Sequence, residues 1–240
     1  MLKELVKYRF KQYIKTSKVA MPLLALVAVQ YVLYTMIPVG VVESFVLSSI
    51  YVFLIMVWVS LGVSELEDPV SEQIMILRIQ SEGKFYFSQI LFLAAISAAA
   101  AFLSVLAPVF INLVNHNQVF TRSLIPADII SSYLLLWASA FLGSSLGGFF
   151  PARIMKDRKS AILLTILITI ISVAKGSILD TLPLPAILLC FIPPMSEVFT
   201  IFGLDEYFQI GKVVLGVVVL FGYGCVMVVI KIRLLIKNKF

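Results

Sequence analysis

One stretch of the sequence matches a catalytic signature, the nucleophile elbow that places a serine on a sharp strand-to-helix turn. Gly143, Ser145 and Gly147 have the required spacing. A serine nucleophile needs a base, and the only histidine, His116, lies in a predicted loop far from Ser145. The pattern also falls within a long apolar run, where no such turn is expected. With Ser139, the two glycines instead form a small-residue stripe that favours close helix packing.

Metal and nucleotide chemistry also lack the residues that they need. One histidine and two separated cysteines, Cys190 and Cys225, cannot form a zinc protease site, and no H-E-x-x-H sequence is present. The phosphate-binding pattern G-x-x-x-x-G-K-[ST] is missing as well, because Phe85 follows Gly83 and Lys84. We therefore expect no catalytic, cofactor-binding or metal-binding residue in this chain. Any ATP that it uses must be hydrolysed by another chain.

The composition is that of a chain built for a bilayer. Of its 240 residues, 61% are hydrophobic and 13% are charged, with a mean hydropathy of +1.05, whereas soluble domains are about half apolar and a quarter charged. A spanning helix needs about 20 apolar residues. Six stretches have that length, at residues 19–39, 44–63, 88–111, 128–150, 160–179 and 211–230. The prediction is an all-α membrane protein with a single transmembrane domain over residues 1–240.

Lysine and arginine set the predicted orientation. Of the 19 basic residues, six precede the first span, two lie between spans two and three, four between spans four and five, and four after span six. Arg122, Lys175 and Lys212 fall on the other side, and Lys175 is expected to snorkel outward from span five. The positive-inside rule then puts both termini in the cytoplasm. We expect a plasma-membrane protein in contact with lipid headgroups, and the basic balance requires no nucleic acid.

Two further helices are predicted on the cytoplasmic side without crossing. The first has lysines at helical spacing on one face and apolar side chains, from Leu2 to Ile14, on the other. That pattern is typical of a helix lying in the lipid headgroup region. The second covers about residues 69–82, where Asp68 can cap the helix, Pro69 suits its first position and Gly83 would stop it. It connects spans two and three.

An apolar but proline-rich segment, residues 181–208, precedes the last span. Pro183, Pro185, Pro193 and Pro194 exclude one continuous helix, and the apolar pieces between them are too short to cross. Irregular backbone at membrane depth needs protein around it. We therefore expect a re-entrant hairpin that enters from outside and turns at Pro193 and Pro194. A lid lying flat in the interface is the alternative.

These features together resemble the type 2 ATP-binding-cassette exporter permeases. The stretch from Glu65 to Lys84, with its acidic lead and short helix, is similar to the coupling-helix loop of that family. The resemblance implies that this helix docks on a separate cytoplasmic ATPase, which holds ATP and Mg, and that the outer segment gates the exit. The expected ATPase-coupling residues are Asp68, Pro69, Glu72, Gln73, Leu77 and Arg78. The expected gate residues are Pro193, Pro194 and Glu197.

The resemblance also implies a second permease subunit, an identical copy or a paralogue, with the cargo path between the two. Some of spans one, two and five are expected to form the contact, and the possible path residues are Gln30, Tyr34, Thr35 and Ser48. Short outer loops favour a hydrophobic or amphipathic cargo, such as a peptide, a lipid-like molecule or a drug. Small permeases of this kind are similar to bacterial peptide exporters. The alternative is a non-catalytic assembly or immunity protein that works without an ATPase.

Overall fold

A computed structural model describes residues 2–35, 37–66, 69–150, 157–181, 192–202 and 205–237, and the regular elements in these ranges are all helices. The longer helices are α1 (Leu2–Ile14), α2 (Ala20–Leu33), α3 (Val41–Ser64), α4 (Pro69–Ile79), α5 (Glu82–Val114), α6 (Pro126–Gly147), α7 (Arg158–Thr181), α8 (Met195–Phe202) and α9 (Ile210–Lys237). A 3-10 turn, Ser17–Val19, joins α1 to α2. The predicted all-α class is confirmed for the described residues.

Five of these helices are long and apolar enough to cross a bilayer, namely α3, α5, α6, α7 and α9. They cover the predicted spans two to six and begin or end within a few residues of them, except that α5 and α9 extend further. α1 and the chain from the 3-10 turn through α2 meet at an angle of 82°, and this bent pair is a sixth candidate if it counts as one span. The chain has the architecture of a multi-pass membrane protein.

The first predicted span is shorter in the structure than the sequence indicates. α2 has 14 residues, or about 21 Å at 1.5 Å per residue, against a hydrocarbon core of about 30 Å. The helix ends at Leu33, where Tyr34 and Thr35 turn the chain. Pro38 then follows, and it has no N–H to continue a helical ladder. Hydropathy alone continues this span to residue 39 because the turn is as apolar as the helix.

α6 is the central helix and packs against α3, α5 and α9. A Cβ atom added at Gly143 would lie 2.4 Å from the carbonyl oxygen of Phe53, and one at Gly147 would lie 2.4 Å from that of Val57. Only glycine therefore allows the backbones of α3 and α6 to approach this closely. The small-residue stripe is confirmed as a packing surface, and Ser145 lies inside a helix rather than on an elbow.

The two ends of the bundle differ in what they bring together. At one end, here named the α4 end, Leu5 of α1, Ile79 of α4, Phe85 of α5 and Leu235 of α9 share one apolar cluster. Both ends of the described chain thus lie at the α4 end. The opposite end, named the Arg122 end, holds the short connection between α5 and α6. Each described ion pair joins residues that the sequence assigns to the same side.

The N-terminal helix packs on protein as well as turning away from α2. Leu5, Arg9 and Tyr13 of α1 are buried, and the ring of Phe92 in α5 meets that of Phe10 edge-on at 4.8 Å. Ile14, predicted on the apolar face, is exposed. The angle to α2 agrees with a helix along the membrane surface, but part of its apolar face contacts α5 rather than lipid.

The helix predicted over residues 69–82 ends earlier, at Ile79. Gln80 has a φ of 56°, in the left-handed region, and so interrupts the helix. Ser81 then caps α5, its hydroxyl accepting from the backbone N–H of Lys84. Gly83, the predicted stop signal, lies instead in the first turn of α5. α4 therefore ends three residues before the predicted end at residue 82, because Ser81 already caps the next helix.

Candidate functional site

α4 has one face attached to the bundle and another that faces away from it. The hydroxyl of Tyr86 donates to Glu72 Oε1 at 2.9 Å, and Ile79 is buried. On the other face, Ile74 is 60% exposed and Leu77 77% exposed. α4 therefore presents exposed apolar side chains on the face opposite to the one that attaches it to the bundle.

The predicted coupling residues therefore fall into different groups. Leu77 and Arg78 are exposed and Gln73 is half-buried, whereas Glu72 takes part in attaching α4 to α5. Pro69 begins α4, and Asp68 lies outside the described residues. Ile74 was not among the predicted contacts, although its place in the apolar stripe of this helix is visible in the sequence.

Arg9 of α1 contacts residues near the start of α5. This buried side chain places its guanidinium carbon 4.7 Å from the ring centre of Phe85, and its Nε donates to the hydroxyl of Ser88. The contact joins α1 to the residues next to Tyr86, and therefore to the attachment point of α4. Sequence reasoning missed it because Arg9 stands in a run of basic residues whose other members face outward.

Glu65 joins three elements at the α4 end. Its carboxylate accepts from Lys18 at 2.9 Å and from Arg158 at 2.6 Å. Burial raises the pKa of Glu65, but the hydrogen bonds and charges of Lys18 and Arg158 outweigh it, so the pKa lies below its ordinary value. This carboxylate, directly after the end of α3, is joined to the 3-10 turn before α2 and to the start of α7.

The predicted cargo-path residues separate into a buried cluster and one exposed side chain. Gln30, Tyr34 and Ser48 are buried between α2 and α3. The Ser48 hydroxyl donates to Gln30 Oε1 at 3.5 Å and lies 3.4 Å from the Tyr34 hydroxyl. Thr35 is exposed and donates to the backbone of Tyr31. That these residues line a cargo path stays a prediction, and within one chain they form a packed polar contact.

The described part of the outer segment is buried in protein. Pro193 and Pro194 are both buried, and the Ser172 hydroxyl donates to the Pro193 carbonyl at 2.8 Å. Ser172 is nine residues before the end of α7, or about 14 Å along its axis. From Pro194 the chain enters α8, which packs against α3, α7 and α9. The remainder, residues 182–191 and 203–204, lies outside the described residues.

Lys175 forms an ion pair with Glu197 of α8 rather than extending to the outer surface. The Lys175 side chain is 9% exposed and that of Glu197 37% exposed, so the pair is shielded on the lysine side. Ser196 also donates to Glu197 Oε2 at 3.1 Å. The snorkelling prediction for Lys175 was wrong, because a carboxylate 22 residues further on lies within reach.

At the Arg122 end, the side chain of Arg122 joins the start of α6 to the residues before α9, a role that the sequence did not predict. Its guanidinium donates to both carboxylate oxygens of Asp128, at 2.6 and 2.9 Å. Its Nε donates to the Glu206 carbonyl, and its guanidinium carbon lies 4.1 Å from the ring centre of Tyr207. The hydrogen bonds to Asp128 raise the pKa of Arg122. The residues leading into α9 are thereby attached to the start of α6.

Comparison of the chain with protein-family models, with curated proteins and with solved structures finds no match. Its function is therefore inferred from its own residues. Two features of the described chain bear on it. One is the exposed apolar face of α4, and the other is the buried segment around Pro193 and α8.

Proposed function

We propose that this chain is the membrane-spanning permease subunit of an ATP-driven exporter of the type 2 ATP-binding-cassette kind. It crosses a bacterial plasma membrane six times with both termini in the cytoplasm, and it pairs with a second permease subunit. A separate cytoplasmic ATPase binds ATP and Mg and hydrolyses the nucleotide. The cargo is hydrophobic or amphipathic, such as a peptide, a lipid-like molecule or a drug. This chain has no catalytic role of its own.

The observation that carries the proposal is the exposed apolar face of α4. Ile74 and Leu77 project from a helix that is too short and too polar to cross a membrane. Exposed apolar side chains on a helix outside the spans suit contact with a protein or with lipid, and we propose that a protein partner covers these two. The hydrogen bond between Tyr86 and Glu72 joins α4 to α5, a single helix of 33 residues, or about 50 Å. A force applied to α4 by a partner is therefore passed directly to a spanning helix.

The buried position of Pro193 supports the second part of the proposal, a re-entrant outer gate. Its carbonyl accepts a hydrogen bond from Ser172, nine residues before the end of α7. From there α8 leads back toward the Arg122 end. A lid lying flat on the surface would expose this segment, whereas Pro193, Pro194 and Met195 are buried. The gate opens in this proposal when α8 moves relative to α7.

The test is co-purification of tagged protein in mild detergent, followed by measurement of ATP hydrolysis. Leu77→Asp and Arg78→Glu should each remove a stoichiometric ATPase, or lower its stimulation by the permease several-fold, without lowering expression. Ile14→Asp and Lys84→Glu are the matched controls, because both positions are exposed at the same end but lie outside α4. These two variants should retain the ATPase.

The same experiment separates the two candidate functions. A permease that purifies without any ATP-hydrolysing subunit, from cells in which it is active, points to the assembly or immunity protein. An ATPase that is retained by Leu77→Asp and Arg78→Glu as well as by the controls would place the docking surface elsewhere and remove the role proposed for α4.

A further inference from the structure

A groove of about 530 Å³ opens between α2, α3 and α7 near the α4 end of the bundle. Its walls are apolar and include Met21, Trp58 and Ile166, all of which are exposed. Toward the α4 end the lining becomes charged, with Lys18 and Glu65. The volume is within the range of about 300–1,000 Å³ that is usual for ligand sites. One end of the groove is therefore suited to an apolar chain and the other to a polar group.

Among the described residues that meet at the polar end through ion pairs, cations outnumber carboxylates. One carboxylate, that of Glu65, faces two cations, Lys18 and Arg158. The Lys18 side chain is 36% exposed and that of Arg158 is 66% exposed. An ammonium has three N–H donors and a guanidinium has five, so both retain donors beyond those used by Glu65. The complementary ligand group is an anion such as a phosphate.

We propose that this groove binds one anionic phospholipid, with an acyl chain along Trp58 and Ile166 and the phosphate at Lys18 and Arg158. The groove runs from Glu65 to Trp58 along α3, which is seven residues or about 10 Å. A lipid in the leaflet at the α4 end has its headgroup and upper acyl chain at these depths. A zwitterionic lipid would match the walls but not the surplus charge. The site does not depend on transport or on an ATPase partner. It does lie on α2, α3 and α7, the spans expected to contact a second permease subunit, so a second copy of the chain is the other occupant that the test must separate.

Tryptophan fluorescence provides a direct test, because the chain has two tryptophans and one lies in the groove. In a Trp137→Phe background, the tryptophan fluorescence comes from Trp58 alone. The full chain is reconstituted in vesicles containing either phosphatidylglycerol or phosphatidylcholine brominated along the acyl chain, since bromine quenches a nearby indole. Brominated phosphatidylglycerol should quench Trp58 more strongly than an equal fraction of brominated phosphatidylcholine. A Trp58→Phe variant, which reports only Trp137 of α6, should show no such difference.

Charge variants separate a headgroup site from general attraction to the membrane. Lys18→Gln and Arg158→Gln should each lower the preference for phosphatidylglycerol about fivefold, since one basic residue near an anionic surface contributes about that factor. Lys212→Gln, a paired lysine at the other end, is the matched control and should leave it unchanged.

Three outcomes would overturn the proposal. The first is equal quenching by the two brominated lipids, and the second is a preference that Lys18→Gln and Arg158→Gln both leave intact. The third is loss of quenching by both lipids as the protein-to-lipid ratio rises. That result would mean that a second copy of the chain, and not a lipid, covers Trp58.

Discussion

The ion pair between Lys175 and Glu197 gives a charged residue of a spanning helix a structural role. An ammonium on a spanning helix is costly in an apolar environment unless a counter-charge is close. Glu197 supplies that charge from α8, two residues after the start of the helix. The same contact holds α8 against α7, next to the hydrogen bond between Ser172 and Pro193. One ion pair thus neutralises a spanning lysine and fixes the proposed gate segment.

Removing the lysine should therefore loosen α8 selectively. In Lys175→Met, the Glu197 carboxylate loses its counter-charge, and we expect hydrogen exchange of the α8 amides to become about tenfold faster. That factor lies between the effects of an exposed and a buried ion pair, of about 1 and about 3 kcal/mol. The exchange is measured by mass spectrometry on the reconstituted protein.

Two further variants serve to interpret that result. The charge exchange Lys175→Glu with Glu197→Lys should restore part of the protection, because it keeps opposite charges together. Lys212→Met, which breaks the pair with Asp205 outside α8, should leave α8 unchanged. Equal exchange in the wild type and in Lys175→Met would show that the pair does not hold the segment.

At the scale of helices, the contact between α3 and α6 should determine stability. Gly143→Ala puts a methyl group 2.4 Å from the Phe53 carbonyl, and the resulting shift of backbone should cost about 1–3 kcal/mol of unfolding free energy. Gly222→Ala in α9 is the matched control, since nothing lies within 4 Å of its added Cβ. There the same substitution should be neutral or stabilise by up to about 1 kcal/mol. Unfolding in mixed detergent micelles measures both, and equal effects would contradict close packing at Gly143.

The helices themselves were largely predictable, because length and hydropathy are properties of the local sequence. α3 and α6 lie within about three residues of their predicted bounds. The predicted helix ends were wrong at two places. At Tyr34 a turn interrupts an apolar run, and at Ser81 a capping residue begins α5 before the glycine that was predicted to end α4. The pairing of Lys175 and the role of Arg122 could not be predicted from local pattern. Glu197 is 22 residues from Lys175. Asp128 is only six residues from Arg122, but the Glu206 carbonyl is 84 residues away, and only the packing of the approach to α9 brings it to Arg122.

At the scale of the whole molecule, the described chain separates its charges by end. Lys18 and Arg158 pair with Glu65 at the α4 end, while at the other end Arg122 pairs with Asp128 and Lys212 pairs with Asp205. Leu5 and Leu235 share a cluster at the α4 end, which agrees with an even number of crossings between α1 and the end of α9. In the proposed six-span topology, α2 serves as a crossing despite its length of 14 residues. A short span of this kind is accommodated by local thinning of the bilayer.

Cysteine labelling tests this topology in cells. In a background of Cys190→Ala and Cys225→Ala, single cysteines are placed at exposed positions of the two ends. Gln118→Cys and Glu206→Cys, at the Arg122 end, should react with a membrane-impermeant thiol reagent in intact cells. Lys11→Cys in α1 and Lys237→Cys in α9 should react only after permeabilisation, because the proposed topology of six crossings, oriented by the positive-inside rule, has both in the cytoplasm. Labelling of Lys11→Cys but not Lys237→Cys in intact cells would mean that α2 does not cross, and the bundle would then have five spans with its termini on opposite sides.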